Sequence, residues 1–199
     1  MKIQAAIFDI GNVLLRFDYM RSAWRLQEKN KLVDLPDRGL VVRAQHDYES
    51  GLLDREAFLE TVRPAFRDTG DPADFVAIWE DIFDENLPMT ALARSLSERM
   101  PVYLLSNISD IHIEYIHRKY DVFRVFSDAV YSCKARLMKP DPGIFHHAAA
   151  QFGVDPAETI YFDDMPENCQ AAASVGYVVH QYDHSRHAEA ERWLAETLA

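Results

Sequence analysis

Residues 159–183 read TIYFDDMPENCQAAASVGYVVHQYD. The stretch begins as a short run of β-branched and aromatic residues that stops on a pair of acids, Asp163 and Asp164. Pro166 then opens an alanine-rich segment that Gly176 closes, the usual placement of proline and glycine at the two ends of a helix. A second apolar run, Tyr177–Tyr182, follows at once. Strand, helix and strand in such close succession read as a parallel pair joined by a crossover helix, and sheets of that kind carry helices on both faces.

The same rhythm extends in both directions from this unit. Upstream lie a helix at 90–100 (TALARSLSERM), a strand at 102–107 (VYLLSN) and a helix at 110–120 (DIHIEYIHRKY). A strand at 128–132 (DAVYS) and a helix at 142–153 (PGIFHHAAAQFG) complete the approach. Downstream, 185–199 is an amphipathic helix. At the start of the chain the apolar run Ile3–Ile10 makes one more strand, delivering Asp9 onto a Gly11-Asn12 turn. Residues 16–88 differ. MRSAWRLQEKN, LVVRAQHDYES, LDREAFLETVRPAFRD and DPADFVAIWEDIF all space their apolar residues by three and four. Asp54 is placed to cap the third of these, Gly70 to stop it, and Asp71-Pro72 to start the fourth. The expectation is an α/β fold: a Rossmann-like parallel sheet with helices on both faces, built from 1–15 and 89–199, with a small all-helical cap at 16–88.

Bulk composition narrows the function. At 199 residues, 48% hydrophobic and 27% charged, the chain can bury a real core. A net charge of −11 without any basic run argues against nucleic acid as a partner. An anionic substrate would meet a repulsive general field, so its site must be locally positive. Cys133 and Cys169 sit in unrelated contexts and form no disulfide framework or zinc spacing. No segment has the length of a membrane span and MKIQAAIFDIG lacks a cleavable signal pattern, so the expected location is cytoplasmic.

Parallel topology gathers the polar residues that follow each strand at one edge of the sheet, where such folds bind ligands. These are Asp9, Ser106-Asn107, Asp163-Asp164 and, from the loop KARLMKPDP, Lys139. Taken singly, each has an ordinary reading: a turn residue, a helix cap, a surface lysine. Together they form a complementary set. The ordered motifs FDIGNV, LLSN, the lysine of MKP, and YFDD with Asn168 resemble those of the haloacid dehalogenase-like hydrolase superfamily. The long interval between Asp9 and Ser106 is similar to that of members whose helical cap follows the first motif. FDIGNV with YFDDMPENCQAA most resembles the glucose-1-phosphate phosphatase group.

The resemblance implies a Mg²⁺-dependent phosphatase acting on a small phosphorylated metabolite, a sugar phosphate such as a sugar 1-phosphate. The residues suit that chemistry. Asp9 can attack phosphorus and form an aspartyl phosphate, provided a cation bridges carboxylate and phosphate. Asp9 and Asp164 are the expected side-chain ligands of Mg²⁺, with Asp163 a weaker third. Ser106 and the amide of Asn107 can hold phosphoryl oxygens, and Lys139 can balance the charge. Asn168 is placed to orient Asp164 or Lys139. The adjacent His146 and His147 lie about 100° apart on a helix, a poor chelate. Cys169 reads as a packing residue.

One position departs from the family pattern. Most phosphatases of the superfamily carry a second Asp two residues after the nucleophile, where this chain has Gly11. Glycine keeps the backbone carbonyl for the metal and loses the acid. Either the leaving group needs less protonation, as a sugar hemiacetal does, or His46, Asp47 or Glu49 reaches in from the cap. Two other readings stay open: a 2-haloacid dehalogenase, whose relatives also lack the second Asp, and a non-catalytic phosphate-binding protein. The sequence does not decide the oligomeric state.

Overall fold

The computed structural model describes residues 2–199. Its centre is a five-stranded sheet, every pair parallel, built from β1 (Ala5–Phe8), β4 (Val102–Ser106), β5 (Asp128–Tyr131), β6 (Thr159–Asp163) and β7 (Val178–Gln181) in the order β5-β4-β1-β6-β7. Chain order reverses direction at the central β1, the place where doubly wound sheets open a crevice at their strand ends. Phe8 is in register with Leu104 on one side and Phe162 on the other. The residues that follow these strands therefore emerge together.

Alternation along each strand divides the core in two. Ala6, Phe8, Leu104 and Phe162 face α5 (Leu87–Ser97), α6 (Asp110–Lys119) and α10 (His187–Thr197). Ile7, Leu105 and Tyr161 face α8 (Pro142–Phe152) and α9 (Pro166–Val175). A strand buried on both faces needs an uninterrupted apolar run, which explains why Ile3–Ile10 and Thr159–Phe162 contain so little polarity. The expected α/β architecture with helices on both faces is the one observed.

Between β1 and α5 the chain forms α1 (Tyr19–Lys29), α2 (Arg38–Glu49), α3 (Arg55–Ala65) and α4 (Pro72–Trp79). Asp18, Asp37, Asp54 and Asp71 each accept a hydrogen bond from a first-turn amide of the helix they precede. These helices close on an aromatic cluster of their own, in which Tyr48 stacks on Phe58 at 4.5 Å and Phe75 on Trp79 at 5.8 Å. Ile111 of α6 completes that cluster.

Residues 16–88 are not wholly helical. β2 (Leu15–Phe17) and β3 (Phe83–Glu85) pair antiparallel where this segment leaves and rejoins the sheet, with Phe17 opposite Phe83. Runs of three residues are too short to show a period of two, so these strands left no pattern to read. Elsewhere the contact with the sheet domain combines aromatic packing of Tyr19 on His112 with ion pairs: Arg55 with Asp110 and Glu114, Arg118 with Glu80, and Lys119 with Asp81. A small α7 (Ser132–Ala135) follows β5 and touches the end of α2, where Ser132 Oγ donates to the carbonyl of Glu49. Both cysteines are unpaired. Among the described residues no helix is long and apolar enough to cross a membrane.

Candidate active site

Asp9 extends β1 by one residue, its amide donating to Phe162 O at 2.9 Å. The chain then turns sharply. Leu14 and Leu15 amides both donate to Ile10 O, and Asn12 adopts φ 53°, a left-handed conformation that asparagine tolerates better than most residues. From there Asn12 Nδ2 donates to Asp164 Oδ2 at 3.0 Å. Thus the turn after the first strand steadies an acid at the end of the neighbouring one.

A pocket of about 220 Å³ lies over this edge, and Asp9, Gly11, Asn12, Ser106, Asn107, Lys139, Asp164 and Asn168 all line it. Asp163 is fully buried behind it. Asp9, Asp163 and Asp164 offer carboxylate oxygens within 4.8 Å of one another, the only grouping of potential metal-binding side chains among the described residues. Lys139 Nζ reaches between them, 2.8 Å from Asp9 Oδ1, 2.7 Å from Asp163 Oδ2 and 3.1 Å from Leu105 O. Asn107 clamps the backbone of Lys139 from both sides: its Oδ1 accepts from the amide and its Nδ2 donates to the carbonyl, each at 2.9 Å.

Burial and these contacts set the charges. Burial lifts the Asp9 carboxyl to about 6, against the pull of Lys139 and a hydrogen bond from Ser106, with Asp163 adding to the rise. Burial also pushes Asp163 upwards, but Lys139 and hydrogen bonds from Tyr161 and Asn168 outweigh it and hold this acid below the usual carboxylate range. Asp164 is raised by burial, opposed by Asn12. Burial disfavours the Lys139 cation, yet Asp9 and Asp163 more than restore it. With the acids ionised, one ammonium faces three carboxylates, a negative surplus that suits a divalent cation with oxygen ligands.

The sequence-predicted set comes together, with one hydrogen bond placed differently from expectation. Asn168 was expected to orient Asp164 or Lys139; instead its Nδ2 lies 3.0 and 3.1 Å from the two oxygens of Asp163. Asp163 also accepts from Lys139, the Tyr161 hydroxyl and the Met165 amide, so its oxygens are already engaged inside the protein. Its buried position makes it the anchor of Lys139. Asn12 and Tyr161 were missed. Tyr161 had a readable signal, since residues two apart on a strand share a face with each other. His146 and His147 are exposed on α8, away from any such cluster.

The three acids considered as replacements at Gly11 also separate. His46 lies in a neighbouring cavity, Asp47 lines neither space, and Glu49 lines both that cavity and the Asp9 pocket. Glu49 Oε1 accepts from Tyr19 OH at 2.9 Å and Gln45 Nε2 at 2.7 Å. Burial raises its carboxyl, against those hydrogen bonds. At Gly11 itself a Cβ would meet Phe17 Cε1 at 2.9 Å. An aspartate there would require the partly exposed Phe17 ring to shift. His112, buried at the rim of the same pocket, bonds through Nδ1 to Ser109 and through Nε2 to the carbonyl of Trp79.

Comparison with known proteins identifies the fold and the family. A sesquiterpene phosphatase of Aspergillus oryzae is 27% identical over 186 residues, covering 88% of this chain and 87% of its own. A HAD family enzyme of Bacteroides thetaiotaomicron, solved with magnesium and inorganic phosphate, superposes with a TM-score of 0.77 at 24% identity over 92% of this chain and 96% of the other. A HAD-like hydrolase of Porphyromonas gingivalis gives a TM-score of 0.77 at 22% identity, covering 98% of both chains. Residues 3–176 match the model of the haloacid dehalogenase-like hydrolases, and the chain belongs to that family.

Proposed function

We propose that this hydrolase is a Mg²⁺-dependent phosphatase that cleaves phosphate monoesters through an aspartyl phosphate on Asp9. The observation that carries the reading is the three-carboxylate cluster with Lys139 set between two of its members. Asp9, Asp164 and the carbonyl of Gly11 would hold Mg²⁺, which neutralises the phosphate and lets a carboxylate approach it. Lys139 engages Asp9 Oδ1, leaving Oδ2 for attack. Ser106, Asn107 and Lys139 bind the phosphoryl oxygens. The phosphatase relative of Aspergillus and the magnesium and phosphate complex of the Bacteroides enzyme support the same reading.

Glu49 takes the acid–base work that Gly11 cannot do. As Asp9 bonds to phosphorus and the ester P–O bond breaks, the protonated Glu49 gives its proton to the departing oxygen. In the second half the Glu49 carboxylate takes a proton from water, which attacks phosphorus and releases phosphate from Asp9. The helices α1–α4, which bring Glu49 to the site, act as its cap. A sugar 1-phosphate is attractive chiefly where no acid is at hand; with Glu49 lining the pocket, esters of ordinary alcohols are equally open.

The test is hydrolysis of p-nitrophenyl phosphate and a sugar-phosphate panel, with Mg²⁺ or with EDTA, by the natural enzyme and by Asp9→Asn. Turnover should require Mg²⁺ and disappear in Asp9→Asn. Halide release from a 2-haloacid in EDTA would assign the chain to carbon chemistry instead. Phosphate binding without any turnover would make it a binding protein.

A further inference from the structure

We infer that the substrate's alcohol half is an extended apolar chain, lodged in a second cavity under helices α1 and α2; the inference rests on the phosphatase reading. That cavity measures about 700 Å³, against about 220 Å³ for the pocket at Asp9. Its size lies within the ~300–1,000 Å³ typical of sites that enclose a small organic molecule. The two spaces adjoin, with Phe17, Tyr19 and Glu49 lining both and forming the boundary between them. A phosphate held at Ser106 and Lys139 would therefore place its ester oxygen at the junction beside Glu49 and its carbon chain in the larger space.

The walls decide which chain. They are predominantly apolar, with Met20, Leu35, Val41, Val42, Phe66 and Trp79 among the lining residues. At the end nearest Asp9 the polar groups are committed to one another: Gln45 Nε2 donates to Glu49 and to Tyr19 OH, and Tyr19 OH in turn donates to Glu49. Gln45 Oε1 is the acceptor left without a partner there. Beyond that acceptor the lining offers polar side chains only at Asp18, Arg38 and His46, so hexose hydroxyls lying against the apolar wall would stay unpaired, at a cost in free energy. An alkyl or alkenyl chain needs no such partners and gains from leaving water. Asp18, Arg38 and His46 place polar groups along the same lining, so the chain's path runs between them over the apolar residues. Phe17 serves both halves. Its ring fills the space beside Gly11 and forms part of the apolar floor, which ties the missing aspartate to the apolar cavity.

The experiment is a chain-length series of butyl, hexyl, octyl and decyl phosphate, with glucose 1-phosphate and p-nitrophenyl phosphate alongside, all with Mg²⁺. Before the cavity fills, kcat/KM should rise about three- to fourfold per methylene, and decyl phosphate should exceed glucose 1-phosphate by at least 100-fold. Val42→Glu, at a wall position that is 56% exposed and so tolerant of charge, should flatten the rise. Titration calorimetry with butyl and decyl phosphonate, which cannot be hydrolysed, reads the cavity without catalysis; decyl should bind more tightly, with a more negative heat-capacity change. If no ester is turned over but the phosphonates still discriminate by length, the phosphatase reading falls and the apolar site stands. If p-nitrophenyl phosphate is hydrolysed while neither series depends on length, or glucose 1-phosphate is preferred, the apolar site is wrong. Length-independence together with concentration-dependent dimerisation would give the cavity to a second copy of the chain and also overturn the inference.

Discussion

In the proposed mechanism the chemistry turns on Glu49, and its sequence context carries no reason to prefer it over His46 or Asp47. Only the fold separates the three, by directing one of them into the Asp9 pocket. Glu49→Gln keeps the shape and the hydrogen-bonding partners but carries no transferable proton. Loss of a general acid typically costs ~10²–10⁴-fold, and the cost depends on the leaving group. For alkyl phosphates kcat/KM should fall by that order, whereas p-nitrophenyl phosphate, whose phenolate leaves readily, should lose less than about tenfold. The pH profile gives an independent check. Burial raises the Glu49 carboxyl, so its protonated form persists above the ordinary carboxylate range and is depleted as pH climbs through the raised value. Tyr19, His46 and Cys133 are the titratable groups facing it from α1, α2 and α7. The alkaline limb with alkyl phosphates should disappear in Glu49→Gln; an unchanged limb would remove Glu49 from the mechanism. Gly11 supplies the reverse experiment. An aspartate there collides with Phe17, whose ring lies 2.9 Å from the new Cβ. In the Glu49→Gln background, Gly11→Asp alone should restore nothing, and adding Phe17→Ala should recover at least tenfold in kcat/KM for octyl phosphate.

At the scale of the element, the long periodic segments were legible and the short ones were not. TIYFDD, VYLLSN and the run from Ile3 show their strands plainly because each is buried on both faces, and the parallel sheet they form places Asp9, Ser106 and Asp164 together. The pair β2 and β3 escaped notice at three residues each. The exchange of roles at Asn168 was hidden for another reason: which of two adjacent acids an asparagine bonds depends on strand direction and helix entry, not on spacing. His112 belongs to the same class. It sits in DIHIEYI with no mark of function, yet α6 carries it under the carbonyl of Trp79 at the end of α4. Burial pushes its pKa down to about 4 from the 6.5 of an exposed histidine. The folded protein thus holds it neutral while the unfolded chain protonates it below pH 6.5, so this residue's contribution declines as pH falls from 6.5 and is spent near pH 4. The span corresponds to about 3 kcal/mol. Asp9, raised to about 6, acts in the opposite direction over the same range, so a comparison of variants is needed. Urea unfolding between pH 4.5 and 7.5 should show a shallower loss of stability on the acid side for His112→Gln than for the natural protein. Parallel curves would place no titration at His112.

The whole molecule has its cohesion divided. The sheet and its flanking helices share two apolar clusters, while α1–α4 close on a third that takes a single residue, Ile111, from α6. Across the seam lie salt bridges whose members are mostly solvent-accessible, such as Arg55 with Glu114 and Lys119 with Asp81. Exposed pairs of this kind contribute only ~0–1 kcal/mol each. An interface that combines solvated ion pairs with one local patch of packing around Ile111 and His112 can open without unfolding either side. A cap that closes over substrate and opens to release alcohol requires that property. Phe58 tests it, being fully buried between Tyr48 and Trp79 and remote from the Asp9 pocket lining. Phe58→Ala should cost ~3–5 kcal/mol by leaving a cavity among those rings. If the two parts are separate cooperative units, the loss is confined to one of them. Native-state hydrogen exchange should then show protection falling throughout α1–α4 while the amides of β1, β4 and β6 keep theirs. In the same variant inorganic phosphate should still bind at Ser106 and Lys139 with Mg²⁺ present, while selection by chain length is lost because the cap no longer holds the apolar cavity in shape. A uniform fall in protection across sheet and helices would mean that cap and core fold as one unit, and alcohol release would then have to proceed without hinged opening.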